Sequence, residues 1–332
     1  MRVSTGGAYQ RGVSLMQQLQ SALDRTQQQI STGRRILNPS DDPIAASRSL
    51  EINEAISRLT QFDRNGVMAT NRLHHEESAL GDMNNVLQRV RELALQANNA
   101  TQSNESRALI AVEMRQHLDQ LVQLANQQDG NGRYLFSGNM DDTVPVSRSG
   151  SAYTYNGDQG QRLIQIADSR QVPDGDPGSE LFFWIKNGNG VFDVSPNAAN
   201  TGTGISGAGS LQDPTQYDLG QYTIRFVDDT NYEVLDSTAT VIAANTFASG
   251  DTIAFRGIEL SLSGTPAAGD EFDVSPSQFK DVFSTISDLA DAVDGTISND
   301  ASRAAVTNGI NAGILNIDQA IGNSLEIRTQ VG

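Results

Sequence analysis

The stretch that decides the fold is residues 52–97, INEAISRLTQFDRNGVMATNRLHHEESALGDMNNVLQRVRELALQA. Fourteen of its positions follow alternating steps of three and four residues, and twelve of them are apolar. These seam positions are Ile52, Ala55, Leu59, Phe62, Gly66, Ala69, Leu73, Glu76, Leu80, Met83, Leu87, Val90, Ala94 and Ala97. A heptad kept over so many turns predicts a coiled-coil-like helix. Residues 43–98 would span roughly 80 Å, a length typical of architecture rather than of a pocket.

Cap and turn signals predict where this helix starts and which element comes after it. Asp42 can cap the helix, and Pro43 suits its first position. The polar turn at residues 98–104 leads into a second apolar stripe, which breaks at the turn cluster of residues 129–132. The stripe consists of Ala111, Met114, Leu118, Leu121 and Ala125. We therefore expect two antiparallel helices.

Two further helices are predicted near the C-terminal end. The first is capped by Ser277, and the second begins near Asp300. The first carries Phe279, Val282, Phe283, Ile286, Leu289 and Val293; the second carries Val306, Ile310, Gly313, Ile317, Ala320 and Ser324. The pattern is still running at Gly332, so we expect the natural chain to continue.

The N-terminal segment has a short heptad of its own, formed by Met16, Leu19, Leu23, Thr26 and Ile30. An isolated helix of about 20 residues is marginal in water and needs a partner. No other part of the sequence is an obvious partner. We expect residues 1–42 to be loose if a missing C-terminal segment normally supplies it.

The middle of the chain predicts strands between Gly, Asp and Asn turns. Predicted strands are 222–226, 231–235, 252–255 and 258–262, and Phe-Asp-Val-Ser-Pro occurs twice, at 192–196 and 272–276. A linker at 172–178 precedes this region, and one hairpin (153–156 with 163–167) is predicted to attach to the helices. The expected domains are 1–42, the N-terminal helix and linker; 43–177, the first part of a helical stalk with the hairpin; 178–276, an inserted β domain; and 277–332, the second part of the stalk.

The fold class is therefore α+β and multidomain: an elongated antiparallel helical bundle from both chain ends, with an inserted mainly-β domain. The charge follows the same division. Residues 1–137 carry 14 basic and 14 acidic side chains, residues 138–276 carry 6 and 19, and residues 277–332 carry 3 and 7. Neutral helices can pack together, whereas a strongly acidic domain prefers solvent.

Composition excludes several classes of function. The net charge of −17 opposes binding to nucleic acid. With no Cys, there are no disulfides, thiolate metal sites or cysteine nucleophiles. The longest apolar run has five residues, so we expect no membrane insertion, and Met1-Arg2 is not followed by a standard signal peptide.

Two short motifs match catalytic or nucleotide-binding patterns without their context. Gly202, Gly204 and Gly207 form a G-x-G-x-x-G, but no strand precedes it and no helix follows. Ser277 and Lys280 form an S-x-x-K, but the companion S-D-N and K-T-G elements are missing. Loop and cap roles explain both motifs better.

The titratable residues also fail to define an active site. His74, His75 and His117 lack the i, i+4 spacing of metal-binding pairs. Adjacent Asp41 and Asp42 point apart, which favours capping over acid–base chemistry. Another group, Asp174, Asp176 and Glu180, offers oxygens for Ca²⁺ but lacks the spacing of an EF-hand. We predict no enzyme, cofactor or metal; a secreted adhesin acting through the β domain stays open.

Specific motifs carry a family resemblance. QISTGRRILNPSDDPIAAS at 29–47 and ANQQDGNGRYLFSG at 125–138 closely resemble the hook–filament junction members of the flagellin-like family, as does MRVST at 1–5. The resemblance covers roughly 1–138 and 277–332, and the middle domain matches mainly through GTPAAGDEF at 264–272. It implies a structural protein secreted through the flagellar type III export apparatus to the extracellular flagellum.

The resemblance also implies partners. The chain would stack between another hook-associated protein and flagellin, self-associate in a ring, and bind an export chaperone through the missing C-terminal segment. Flagellin itself is the nearest rival, since QRVRELALQ at 88–96 is similar to its stretch that contacts stacked subunits. Arg89, Leu93 and Glu113 also match flagellin positions recognised by a host innate-immune receptor.

Three groups of site residues follow from the resemblance. The predicted subunit contacts are Gln88, Arg89, Arg91, Glu92, Leu93 and Glu113. The predicted inner coiled coil uses Leu15, Met16, Leu19, Leu23 and Ile30. The helix start and interdomain turn are Gly33, Asn38, Pro39, Ser40, Asp41, Asp42 and Pro43.

Overall fold

The computed structural model describes residues 5–331, and it divides into two compact units. Residues 1–4 of the MRVST segment and Gly332 lie outside the described residues, so the predictions made for them are not addressed by the structure. The first unit holds residues up to 66 together with 165–170, and the second holds 67–164 and 171 onwards. Five α-helices occur: α1 (Thr5–Thr32), α2 (Pro43–Ala97), α3 (Asn104–Ala125), α4 (Val282–Asp294) and α5 (Asp300–Val331).

The first unit contains α1 and the beginning of α2, joined by a turn. Near its end, Asn65 Nδ2 donates to the Gln165 carbonyl (2.7 Å), and Arg58 Nε lies 3.0 Å from Asp168 Oδ1. The seam residues Ile52 and Leu59 in this unit are exposed, by 53% and 62%. The heptad here thus defines an apolar stripe without a partner among the described residues.

The second unit has a helical core in which the seam positions after Leu73 are all buried. Leu80, Leu87 and Val90 of α2 pack there with α3, α4 and α5. A short polar turn joins α2 to α3, whose Ser103 cap accepts the Ser106 N–H. The fold class predicted from the helical periodicity is confirmed by this arrangement.

Helix α5 runs antiparallel to the second half of α2. Polar contacts fix the direction: Asn98 bonds Asn311, Arg91 bonds Asp318, and Arg328 lies near Glu77. Small residues allow α4 and α5 to approach closely, and Gly313 faces the buried Leu289 side chain. The chain's C-terminal part therefore completes a core that its N-terminal part begins.

The β region of the second unit has its own core. Its strands are β5 (Ile185–Lys186), β6 (Phe192–Pro196), β7 (Ile205–Ser206), β8 (Ser210–Leu211), β9 (Tyr222–Phe226), β10 (Asn231–Asp236), β11 (Val241–Thr246), β12 (Thr252–Phe255), β13 (Ile258–Ser263), β14 (Glu271–Pro276) and β15 (Phe279–Lys280). A five-stranded antiparallel sheet has the order β11-β10-β9-β14-β6. In a second sheet, β13 lies between β12 and β7 and also pairs with β8. Phe192, Ile224, Leu260 and Phe272 meet in this core.

The repeated Phe-Asp-Val-Ser-Pro segments are direct neighbours in the larger sheet. Strands β6 and β14 pair antiparallel, so that Phe272 lies opposite Pro196 and Phe192 opposite Pro276. The sheet region also contacts α5, where the buried Asn308 accepts the Ser206 N–H (2.9 Å) and donates to the Gly204 carbonyl (2.9 Å).

Three local predictions were wrong. The single hairpin is two: β1 (Val146–Ser149) pairs with β2 (Ala152–Tyr155), and β3 (Leu163–Ala167) with β4 (Arg170–Pro173). Helix α4 is capped by Asp281, not Ser277, because Ser277 Oγ donates to the Asn187 carbonyl and the following residues form β15. The apolar run 181–185, placed by sequence in the β domain, forms a π-helical turn (Ser179–Phe183) and β5, and its buried residues join the helical core.

Candidate assembly surfaces

Helix α1 presents the residues predicted for an inner coiled coil. Leu15, Met16, Leu19, Leu23 and Ile30 are all between 59% and 77% exposed. No described part of the first unit covers them. A 28-residue helix with so much apolar side chain in solvent gains stability by packing against another helix. That residues 1–42 are loose when their helical partner is missing stays a prediction.

The turn between α1 and α2 is organised by Asp41. Its Oδ2 accepts the N–H groups of Leu37 (3.2 Å) and Asn38 (3.1 Å), and its Oδ1 lies 2.7 Å from Arg25 Nη2. These bonds, those from the backbone foremost, lower the pKa of Asp41 below its ordinary value of 3.8. At neutral pH the ionised carboxylate therefore ties the turn to α1.

The remaining turn residues set the chain direction into α2. Gly33 adopts a left-handed φ of 64°, which ends α1 in a conformation that suits glycine. Asp42 Oδ1 accepts the Ala45 N–H (3.1 Å), and α2 begins at Pro43, as the cap signal indicated. Asn38, Pro39 and Ser40 are exposed in the turn.

The predicted subunit contacts do not all lie on the surface. Gln88, Arg89 and Glu92 are exposed, but Leu93 is only 1% exposed and packs in the helical core. Its burial follows from the helical period, since it lies on the face shared by Val90 and Ala94, one residue away from the seam. Leu93 therefore cannot contact a neighbouring molecule without opening the core.

The charged residues of this group are paired within the chain. Arg89 Nη2 donates to Glu113 Oε1 (2.7 Å) and its Nη1 to Glu92 Oε2 (3.3 Å), which links α2 and α3 on a solvent-exposed face. Arg91 Nε donates to Asp318 Oδ1 (2.6 Å), and its Nη2 to Oδ2 (3.4 Å). Arg91 thus clamps α5 to α2 rather than pointing away from the bundle.

A buried charge cluster was missed by the sequence reasoning. Glu76 is 1% exposed; its Oε1 accepts the Asp176 N–H (3.0 Å), whereas Oε2 has no hydrogen-bond donor among the described atoms. Burial, and next the negative charge of Asp176, raise the pKa of Glu76 from 4.5 to about 8. Arg72, one turn earlier, contacts Asp129 (3.2 Å) and Asp174 (3.7 Å). The signal available in the sequence was Glu76 itself, a charged residue at a position of the otherwise largely apolar seam, with Arg72 four residues before it.

The proposed Ca²⁺ ligands do not converge. Asp174 is held by Arg162 and Arg72, Asp176 accepts from Gln161 Nε2 (2.6 Å), and Glu180 lies in the π-helical turn. Within residues 5–331, no three His, Asp or Glu side chains form a metal-ligand set. A Ca²⁺ site built from these residues is therefore not supported.

The two catalytic-looking motifs have structural roles. Backbone N–H groups of Thr201 and Gly202 already bind the buried Asp270 carboxylate (2.8 and 3.0 Å), which fills the place an anionic ligand would need. Lys280 Nζ pairs with Asp288 Oδ2 at 2.6 Å, away from the Ser277 hydroxyl contact. Among the described helices, none combines the length and apolarity needed to cross a membrane.

Family comparisons agree with a helical assembly protein. Residues 3–141 match the family described as bacterial flagellin N-terminal helical region. Residues 195–276 match the D2-like domain of flagellar hook-associated protein 1. The first match covers the α1–α3 region, and the second covers most of the β region.

Three relatives extend this similarity. Flagellar hook-associated protein 3 of Escherichia coli K12 is 34% identical over 201 residues, 60% of this chain and 62% of that protein. The structure of Xanthomonas campestris FlgL has a TM-score of 0.80 at 37% identity, covering 84% of this chain and 92% of that one. The flagellar junction protein FlgL from Legionella pneumophila has a TM-score of 0.80 at 31% identity, covering 86% and 97%.

The fold and its exposed helical faces define a flagellar structural protein with an inserted β domain. The chain belongs to the flagellin-like family, among its FlgL-like members. It spans less than two thirds of the length of the E. coli protein that it matches.

Proposed function

We propose that this chain is a structural adaptor at the hook–filament junction of the bacterial flagellum. It would stack between another hook-associated protein and flagellin, outside the cell. The observation that carries the proposal is the similarity to FlgL structures over 84% of the chain, across helices and β region alike. A flagellin subunit is the weaker alternative, because the flagellin family matches only residues 3–141 and the β region matches a hook-associated protein.

The exposed face of α1 supports assembly through that helix. Its five apolar side chains would form an inner coiled coil and hold copies in a ring. The net-zero charge of residues 1–137 removes the long-range repulsion that the rest of the chain would impose.

Complementation tests both the role and the helix. In the organism that encodes the chain, a strain lacking the gene should release flagellin monomers, and the full-length gene should restore attached filaments. Leu19→Asp should fail to restore them. Gln17→Asp, which puts the same charge on the opposite face of α1, should succeed.

The outcomes separate the alternatives. Restoration of filaments in a strain that lacks flagellin would make the chain a filament subunit instead. Equal performance of the two α1 variants would reject the coiled-coil role while leaving the junction role intact. Loss of surface attachment without loss of motility, after removal of the β region, would favour an adhesin.

Finer partner assignments rest on the resemblance and need their own tests. Export-chaperone binding, which the resemblance assigns to a C-terminal segment, is tested by co-purification of the chaperone with the protein expressed from its gene. Recognition by an innate-immune receptor is tested with Arg89→Ala in a receptor reporter assay. The Arg89–Glu113 pair is accessible for such recognition, but buried Leu93 is not.

A further inference from the structure

The short ribbon formed by β5 and β15 has an exposed aromatic face. Phe279 is 65% exposed, and the chain's single Trp, Trp184, is 40% exposed. Phe279 lies directly opposite Lys186 in the register, so these two side chains share one face of the ribbon. Trp184 ends the π-helical turn immediately before β5. Aromatic side chains left in solvent are often the residues that anchor interfaces.

The same ribbon holds both lysines of the chain. Lys280 is neutralised by Asp288 at 2.6 Å, whereas Lys186 forms no salt bridge among the residues the structure covers. Residues 138–276 carry 19 acidic and 6 basic side chains, so acidic side chains are the commoner charged partners for Lys186 on another copy. We call the face made by Lys186 and Phe279 the aromatic ribbon face.

A surface of complementary character lies at the other end of the larger sheet. The turn after β9 exposes Val227 by 52% and carries Asp228 and Asp229. Asp251 is near, because Phe247 N–H donates to the Thr230 carbonyl (2.7 Å) and Ala248 N–H to Asp251 Oδ2 (2.8 Å). We call Val227, Asp228, Asp229 and Asp251 the acidic tip.

The two surfaces cannot meet within one molecule. Strand β14 has its Glu271 end beside Arg225, next to the acidic tip, and its Pro276 end leads to β15 and the aromatic ribbon face. A six-residue strand separates them by roughly 17 Å or more. Contact therefore requires two copies, and it is heterologous, since each copy contributes a different surface.

We propose that the acidic tip of one copy docks on the aromatic ribbon face of a second copy of this chain. Val227 would pack on Phe279, while Lys186 would pair with Asp229. The contact does not depend on the flagellar role. It buries a small area, so we expect a weak dissociation constant of roughly 10⁻⁴ to 10⁻³ M, which becomes effective where other contacts hold copies side by side.

Self-association of the purified chain tests the proposal by sedimentation equilibrium up to about 2 mM. All measurements use a Leu19→Asp background, because α1 offers a second apolar face by which copies can associate. Phe279→Ser should weaken association at least about tenfold. Leu109→Ser is the control, since Leu109 is exposed by 73% but lies on α3, outside both surfaces, and it should have no effect.

A charge exchange tests the pairing of the two surfaces. Lys186→Glu and Asp229→Lys should each weaken association, and the double variant should restore it to near the starting value. Circular dichroism checks that each variant is folded. Association that is absent up to 2 mM, indifferent to Phe279→Ser, or not rescued in the double variant would overturn the proposal. The test leaves the complementation result untouched, so the two ideas can fail separately.

Discussion

Replacing Glu76 by Gln tests the buried charge cluster most sharply. The Glu76→Gln side chain keeps the oxygen that accepts the Asp176 N–H, and its amide offers N–H donors where the ionised carboxylate has none. It therefore resembles the protonated acid, which is the form that burial favours at neutral pH. We expect the substitution to stabilise the protein at alkaline pH and to change little in acid.

The sign and size follow from the pKa of Glu76. The folded pKa, about 8, lies above the ordinary value of 4.5, so the folded protein keeps a proton that the unfolded chain releases. Stability from this group is complete below pH 4.5 and is lost as the pH rises through 8. At 1.36 kcal/mol per pH unit, the full loss is about 5 kcal/mol. Because Arg72 is close and the loop around Asp176 can relax, we expect about 2–4 kcal/mol to be measured.

Urea unfolding from pH 5 to pH 9, followed by the fluorescence of Trp184, measures the effect. The quantity of interest is the difference in unfolding free energy between variant and wild type, which removes the contribution of groups that titrate in both. Glu77→Gln is the control, because Glu77 is half exposed and its charged neighbours, Arg328 (3.4 Å) and His74 (3.9 Å), lie on the surface with it. A difference that is the same at pH 5 and pH 9 would show that Glu76 does not hold the proton.

Three further changes test the helical core and the turn. Leu80→Asp should cost several kcal/mol, because it places an unpaired charge in a fully buried position; thermal unfolding measures it. Gly313→Ala should destabilise the protein by about 1–3 kcal/mol, since the added Cβ would approach Leu289 Cδ1 to 2.5 Å. Gly322→Ala in the same helix should stabilise it by up to about 1 kcal/mol, because the added Cβ has no atom within 4 Å. Asp41→Asn should lower the hydrogen-exchange protection factors of the two turn amides, and in the wild type these factors should fall as the pH drops below 3.8.

The helices could be predicted because each one has apolar residues at helical spacing, which the sequence shows directly. The spacing could not predict which part of such an apolar stripe is covered by another element. Leu80 and Leu87 are fully buried, yet Ile52 and Leu59 occupy equivalent heptad positions and are more than half exposed. A heptad specifies a face, and only the rest of the structure decides whether another element lies against it.

Glu76 is the reverse of these exposed apolar residues, because it is a charged seam residue that is buried. It interrupts the apolar seam, which indicated an irregularity, but its burial depends on segments far away in the sequence. Asp176 and Asp174 reach it from 100 and 98 residues further on, and Arg72 supplies the compensating charge. The pairing of Arg72 and Glu76 one turn apart was the only local hint of a buried network.

The start of α4 was misplaced for a similar reason. Ser277 followed by an apolar stripe satisfies the local rule for a helix cap. In the structure, Ser277 and Gln278 bond to the distant Asn187 instead. The Asn187 carbonyl accepts a hydrogen bond from the Ser277 hydroxyl (2.7 Å), and its side-chain oxygen accepts one from the Gln278 N–H (2.7 Å). The backbone is then held extended, and Phe279 is left in solvent rather than in the helical core.

This same ribbon explains how a β region can interrupt a helical core. The chain leaves the core through β5 and returns through β15, and the two strands pair directly, Ile185 with Lys280. The next strands outward, β6 and β14, are paired as well and carry the repeated Phe-Asp-Val-Ser-Pro segment. Entry and exit are therefore side by side, so insertions of different size can be accommodated beyond them without moving α4 relative to the π-helical turn. The sequence repeat marks this double-stranded connection, which is why it lies at both borders of the β region.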